Sequence, residues 1–425
     1  MNAGVLMIII MFAFIMLGMP VAFAIGIASL VAVLNGGMPL IAVPQKIFAG
    51  MNSFALLAIP MFILAGNLMT GGGINRKIMN FADAVIGWVA GSKAMVTVLA
   101  SAIFAAISGS GTATVSAIGG MTIPVMNEDG YEPEFSAAVA SSASILGPLI
   151  PPSIFLIVYG SSTQSSASDL FMGALFPGLV LAGLFLLYTW YYAKKHKLPV
   201  GDKPQFKRIV RETKKGFWAL LMPLIIIVGI FGGVFTATEA AAVCCVYAFI
   251  VGAFIYKDLK FKDIPNVVLS SAVTSAALLY LCGCSKISSY VLAASKVTNT
   301  IADGILSISS NPIIILLVIN ILLLFVGMLM EANVAILIFT PILLPIATAV
   351  GMSTLTLGVL MTINLCLGLL TPPVGLCLIM GNDIAGANFG RTLKTAVPFF
   401  AISLFVIMLV TYWPGFTEWL PSVLK

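Results

Sequence analysis

Charge is what this 425-residue sequence has least of, with 21 Lys and Arg and 15 Asp and Glu making 8% of the chain. Soluble domains run at about 25% charged, so a water-soluble globular protein is excluded. Histidine occurs once, as His196 in a basic stretch. No His/Glu metal motif exists, no nucleophile has a plausible base, and no two aspartates face each other in an apolar run. The chain is therefore expected not to be an enzyme. No Lys or Arg precedes Lys46, so the basic start of a secretory signal is missing and the first apolar run is expected to be a retained helix. The basic residues lack interleaved aromatics, which excludes a nucleic-acid partner. Six cysteines (Cys244, Cys245, Cys282, Cys284, Cys366, Cys377) all sit in apolar runs. They read as buried, reduced thiols, since Cys282-Gly283-Cys284 has no companion histidines.

What is present is apolar sequence: 60% AVILMFWYC and a mean hydropathy of +1.12. The composition dictates an all-α polytopic membrane protein embedded in a lipid bilayer. A span needs about 20 apolar residues. The candidates are 3–18, 20–34, 47–69, 94–107 with 112–126, 134–160 and 168–193, then 217–233, 236–256, 264–295, 312–330 with 332–349, 355–380 and 393–415. Residues 74–92 read as an amphipathic interfacial stretch. Nine of the 21 basic residues lie between Lys194 and Lys215, which sets that loop in the cytoplasm by the positive-inside rule. Within it, 203–216 is expected to form an interfacial helix on anionic lipid. Residues 1–193 and 217–425 then form two repeats joined by the basic loop 194–216.

The repeats share their punctuation. Gly147-Pro148-Leu149-Ile150-Pro151-Pro152 and Gly368-Leu369-Leu370-Thr371-Pro372-Pro373 lie 221 residues apart, each midway along a bilayer-length run. The same offset pairs Pro124 with Pro345 and Pro177 with Pro398. A diproline lacks two amide donors and its rings clash with the preceding turn, so helices 134–160 and 355–380 are broken. In lipid, such backbone survives only buried in protein or lining a cavity. The runs 94–126 and 312–349 are interrupted at Ser108-Gly109-Ser110-Gly111-Thr112 and Glu331-Ala332-Asn333, and fit re-entrant hairpins. Counting spans from the basic loop opens the first hairpin to the cytoplasm and the second to the outside. Lys257, Lys260, Lys262, Arg391 and Lys394 then fall inside. The repeats are thus inverted, the arrangement of many secondary transporters, in which paired broken helices mark the binding site.

Unwound carbonyls and hydroxyls suit a hard cation such as Na⁺, helped by the negative C-terminal ends of half-helices. The first break offers Ser108, Ser110 and Thr112 with the carbonyls of Gly147, Leu149 and Ile150. The second offers Glu331, Asn333 and Thr371 with the carbonyls of Gly327, Gly368, Leu370 and Val374. Half-helix N-termini after Thr112 and Pro152 present amide donors suited to a carboxylate. Glu239 reads as a helix cap after Thr236, Asn320 and Asn364 as interhelical hydrogen-bond partners, and Glu128 to Glu134 as a solvated turn. Lys286 is left to snorkel, pair or line a path. A channel is disfavoured, because filters repeat by oligomeric symmetry rather than as inverted copies within one chain.

The stretches Ile59-Pro60-Met61-Phe62-Ile63-Leu64-Ala65-Gly66, Ser108-Gly109-Ser110, Ile123-Pro124-Val125-Met126 with Gly130-Tyr131, and Ile150-Pro151-Pro152-Ser153-Ile154 with Tyr159-Gly160 resemble the large membrane subunit of TRAP (tripartite ATP-independent periplasmic) transporters. So do Thr238-Glu239-Ala240-Ala241, Pro341-Ile342-Leu343-Leu344-Pro345 and Gly368 through Gly375. The resemblance implies an elevator-type, Na⁺-driven importer of small organic acids, of the C4-dicarboxylate or sialic acid class, in a bacterial inner membrane. It implies a separate small membrane subunit and a periplasmic substrate-binding protein as partners. A binding-protein-independent carrier of the same fold is the alternative. Carried onto this sequence, one Na⁺ site would use Ser108, Ser110, Gly147, Ile150 and Pro152. The other would use Gly327, Glu331, Gly368, Thr371 and Val374. The substrate would sit at Ser110, Thr112, Ser153, Asn333 and Thr371.

Overall fold

A computed structural model describes residues 2–198, 200, 205–298, 300, 301, 304 and 311–424. Among these the chain is all helical, with one isolated bridge between Ala90 and Val200 in place of any strand. Nine of the described helices are long and apolar enough to cross a membrane. Their starts follow the sequence closely. Asn2, Ser166, Ser353 and Asn388 cap helices with their side chains, and Pro133 and Pro312 open helices where a missing N–H costs nothing. Thr236 and Glu239 close a capping box, the carboxylate accepting the Thr236 N–H at 2.8 Å.

One group of helices forms a flank: Ala3–Met16, Val21–Asn35, Ala42–Met51, Phe54–Gly71, Phe206–Phe231, Ala237–Ile255 and Ile264–Ala294. Small residues set its crossings. A Cβ on Gly50 would stand 2.7 Å from Lys286 Cβ, and one on Gly283 would stand 2.9 Å from the Ile47 carbonyl. Against this flank pack the hairpins and broken helices, tied to each other by Tyr159 Oη donating to the Thr354 carbonyl at 2.7 Å. Asp83, on the amphipathic helix Ile74–Ile86, pairs with Lys93 at 3.1 Å and with Arg208, which ties the start of the first hairpin to the helix after the basic loop.

Three expectations change, and one helix is added. The run 47–69 is two helices, Ala42–Met51 and Phe54–Gly71, because Asn52 and Ser53 leave helical geometry. The interfacial helix expected at 203–216 is instead continuous with the next span from Phe206 to Phe231, while Lys203 and Pro204 lie outside the described residues. The acidic turn is not fully solvated, since Tyr131 is buried and Glu134 stands 3.8 Å from Arg391. A short helix, Gly415–Leu424, follows the final span and docks Phe416 and Trp419 on Phe176.

Candidate functional site

Both hairpins reverse where the sequence places Gly and small polar residues. The first runs up through Ser92–Ser108, turns at Gly109 with a positive φ of 59°, and leaves through 111–128 with a π-helical turn at Val115–Gly119. The second runs Pro312–Leu329, turns at Met330 and Glu331, and leaves through Ala332–Ala349. The first broken helix stops at Leu149 and restarts at Ile154; the second stops at Gly368 and restarts at Leu376.

These parts interlock backbone to backbone. A Cβ on Gly147 would stand 2.6 Å from the Ser110 carbonyl, and one on Gly109 would stand 2.7 Å from the Pro152 carbonyl. Gly111 faces the Ser144 carbonyl, Cys377 Sγ and Leu369, so the first tip sits between both breaks. Gly327 and Gly368 touch so closely that a side chain on Gly368 would fall on the Gly327 carbonyl. The Val374 N–H reaches the Met328 carbonyl at 3.4 Å.

The two tips open on one cleft of about 770 Å³. Its walls include Ser108 through Ala113, Ile154, Phe155, Glu331, Asn333, Leu369 and Leu376 on one side. Gly66, Asn67 and Thr70, with Ser270, Thr274, Ala277 and Leu278, line the flank side. Four helices therefore begin at this cleft, at Gly111, Ile154, Ala332 and Leu376, and each brings the positive end of its dipole there, with part of each first turn already capped by Ser110, Ser153, Glu331 or the Leu369 carbonyl. Four others end around it, at Ser108, Leu149, Leu329 and Gly368, with carbonyls of the opposite sense. The tips of both hairpins thus meet at one cleft.

Of the expected substrate residues, Ser110, Thr112 and Asn333 line the cleft, whereas Ser153 and Thr371 do not. Ser153 is fully buried and caps Ile154–Thr163, accepting the Leu156 N–H at 3.3 Å. Thr371 Oγ1 donates to the Leu367 carbonyl at 2.9 Å, which leaves its lone pairs free. Of the expected cation residues, Ser108, Ser110 and Glu331 reach the cleft; Gly147, Ile150, Pro152, Gly327, Gly368 and Val374 lie behind or beside it in the breaks. Glu331 caps Ala332–Ala349, accepting the Val334 N–H at 3.3 Å and the Asn333 amide at 2.8 Å. Asn333 Oδ1 and Asn364 Oδ1 are buried without a hydrogen-bond partner among the described residues. Asn364 also donates to Asn320 Oδ1 at 2.9 Å, the interhelical contact its sequence position implied.

Sequence reasoning missed Thr114, whose hydroxyl donates to the Ser110 carbonyl at 2.7 Å and meets Ser108 Oγ at 3.2 Å. Its position four residues after Ser110, one turn along the helix, was the available signal. It also missed the flank wall, where Ser270, Thr274 and Ala277 share one helix face and Asn67 Nδ2 donates to Ser271 Oγ at 2.8 Å.

The family model for the DctM component of tripartite ATP-independent periplasmic transporters matches residues 8–416. The chain is 40% identical over 405 residues to the isethionate TRAP transporter permease protein DctMQ of Oleidesulfovibrio alaskensis, covering 95% of this chain and 64% of that protein, so it spans less than two thirds of that relative's length. It is 38% identical over 377 residues to the C4-dicarboxylate TRAP transporter large permease protein DctM of Pseudomonas aeruginosa, covering 89% and 88%. The solved YdaH transporter of Alcanivorax borkumensis superposes with a TM-score of 0.64 over 88% of this chain and 87% of that one, at 15% identity. At that identity the likeness concerns the fold.

Proposed function

We propose, from the premise that the chain belongs to the DctM component family of tripartite ATP-independent periplasmic transporters, that it carries small organic anions inward with Na⁺. Family membership makes it a multi-pass inner-membrane permease subunit and a transporter rather than an enzyme. The observation that carries the anion reading is the cleft at which four helix N-termini converge. Such ends bind carboxylates and sulfonates through free amide N–H groups and the macrodipole. Ser110 and Thr112 add hydroxyl donors at the first tip.

Na⁺ would travel as a second cargo in the two breaks. Ser108, Ser110 and the carbonyls of Gly147, Ile150 and Pro152 surround one position. Gly327, Glu331, Gly368, Thr371 and Val374 surround the other. The free lone pairs of Thr371 and the unpartnered Oδ1 of Asn333 and Asn364 support an oxygen-donor site there. A cation at each break offsets the substrate's charge, so the loaded site crosses the apolar layer at lower cost. The hairpins and broken helices would move as one body against the flank, the two repeats exchanging access, with a small membrane subunit beside the flank and an extracytoplasmic binding protein delivering substrate. Only the anion's class follows from the cleft; isethionate, a C4-dicarboxylate and a sialic acid are the compounds to try.

The test is uptake into proteoliposomes holding the chain, its small subunit and its binding protein. We expect accumulation of one of these anions under an inward Na⁺ gradient. Uptake that ignores the gradient removes sodium coupling. Uptake without the binding protein makes the chain an independent carrier.

A further inference from the structure

A second polar cleft, of about 370 Å³, opens along the same seam and plays no part in the site described above. The two clefts lie at opposite ends of the seam, as three elements agree. Along Ile264–Ala294, residues 270–278 line the first cleft and residues 282–289 the second. In the antiparallel flank segment the order reverses, with residues 63–70 at the first and 49–53 at the second. In the second hairpin the tip, Glu331 and Asn333, lines the first, while Leu337 to Leu344 line the second. Between the clefts the flank is sealed against the hairpin: Leu281 to Ser285 are buried, and Ser285 Oγ donates to the Leu337 carbonyl at 2.9 Å.

Lys286 stands in the second cleft. It is the only charged residue in the 31-residue helix Ile264–Ala294. It is exposed to the cleft, and no acidic group among the described residues pairs with it. Hydroxyls and amides surround it, from Ser285, Ser289, Asn52, Ser161 and Gln164. A cation lined by neutral hydroxyls and amides suits an anion, and ionisable groups at membrane depth usually mark a substrate path. The helix points to when the anion arrives. Thr274, opposite the tips now, and Lys286 are twelve residues apart along this helix, about 18 Å of rise and about a third of a turn around it. Lys286 lies toward the end remote from Lys257, Lys260 and Lys262, which the positive-inside rule places in the cytoplasm.

We propose that Lys286 is a substrate-binding residue of the outward-facing state: fixed in the flank, it meets the anionic group of the substrate when the hairpin tips stand at its level. This rests on the anion-importer reading above and adds to it a residue from the stationary side, together with the distance the tips must travel. Recognition is by charge, so a carboxylate and a sulfonate serve equally.

Two measurements on the complete complex test it. In proteoliposomes, using whichever of isethionate, succinate or N-acetylneuraminate the unmodified complex takes up, Lys286→Met is expected to raise KM at least tenfold with kcat within about threefold. Lys286→Arg should restore KM to within about threefold, which a merely packed or snorkelling lysine would not require. An unchanged KM in Lys286→Met overturns the proposal. In a background with the six native cysteines replaced, Ala113→Cys at the first tip is paired with Lys286→Cys or with Thr274→Cys and bridged by Hg²⁺. Both pairs are expected to cross-link. Bridging to position 274 alone overturns the proposal, because the tip then never reaches Lys286. If the unmodified complex takes up no organic anion, the importer reading fails, and the cross-links still decide whether the tip travels to Lys286.

Discussion

The two helix breaks share a sequence pattern and differ in almost everything the pattern does not fix. Around the first, every residue from Ser136 to Gly160 is buried, and its tip is a web of neutral hydroxyls. Around the second, Pro373, Val374 and Leu376 are exposed, and its tip carries a carboxylate. The 221-residue offset aligns Ser110 with Glu331 and Thr112 with Asn333. One break is thus closed in, while the other keeps an open wall and a carboxyl group at its tip. The difference teaches that two copies of one motif need not be built as equals: one is walled in by hydroxyls and backbone, the other is open and carries a carboxyl group.

The comparison would break most completely at the glycines that both breaks need. Gly368→Ala drives a methyl into the Gly327 carbonyl, and Gly147→Ala drives one onto the Ser110 carbonyl. Backbone cannot yield as a side-chain tip can, so each should cost about 3 kcal/mol and abolish uptake. Gly120→Ala, with open space around it, should leave the detergent melting temperature and uptake unchanged. Equal tolerance at all three positions would mean that the breaks are looser than their contacts imply.

Solvent access gives the next largest contrast. With native cysteines replaced, Val374→Cys should react with a small maleimide far faster than Ile150→Cys, since Val374 is 36% exposed and Ile150 4%. A local opening cost of about 3 kcal/mol gives a ratio of about 100. Comparable rates would show the first break opening as readily as the second. Charge comes third. Glu331→Gln should weaken the Na⁺ dependence of uptake about tenfold, or about 1.4 kcal/mol. Ser110→Ala should do so only a few-fold, because that hydroxyl is already shared with Thr112 at 3.2 Å. A larger effect at Ser110 would reverse the ranking of the two sites.

Much of this was legible in the sequence because prolines and glycines act locally. The diprolines placed both breaks, Gly109 placed one turn, and the Thr236–Glu239 spacing gave the capping box. What stayed hidden depends on partners remote in sequence. Nothing near Ser153 or Thr371 tells that the cleft passes them by, because the other tip and the flank decide which face is walled off. Asn52 and Ser53 split an apolar run that hydropathy alone joins. The lining at Asn67, Ser270 and Thr274 reads as ordinary small-residue packing until the opposing hairpins are in place.

The smallest effect tests whether the first cradle is built by its hydroxyls or merely contains them. Thr114→Val keeps the β-branched shape and removes the oxygen that holds the Ser110 carbonyl and meets Ser108 Oγ. Losing such a buried bond costs about 1 kcal/mol, so a fall of two- to five-fold in apparent Na⁺ affinity is expected with little change in melting temperature. The position 221 residues on, Ala335, has no hydroxyl, so the second tip must be held another way, by Glu331 accepting the Val334 N–H and the Asn333 amide. Asn333→Ala, which removes the amide partner of that carboxylate, should therefore disturb sodium dependence more than Thr114→Val does. If Thr114→Val proves the more damaging, the neutral cradle is the more demanding of the two sites.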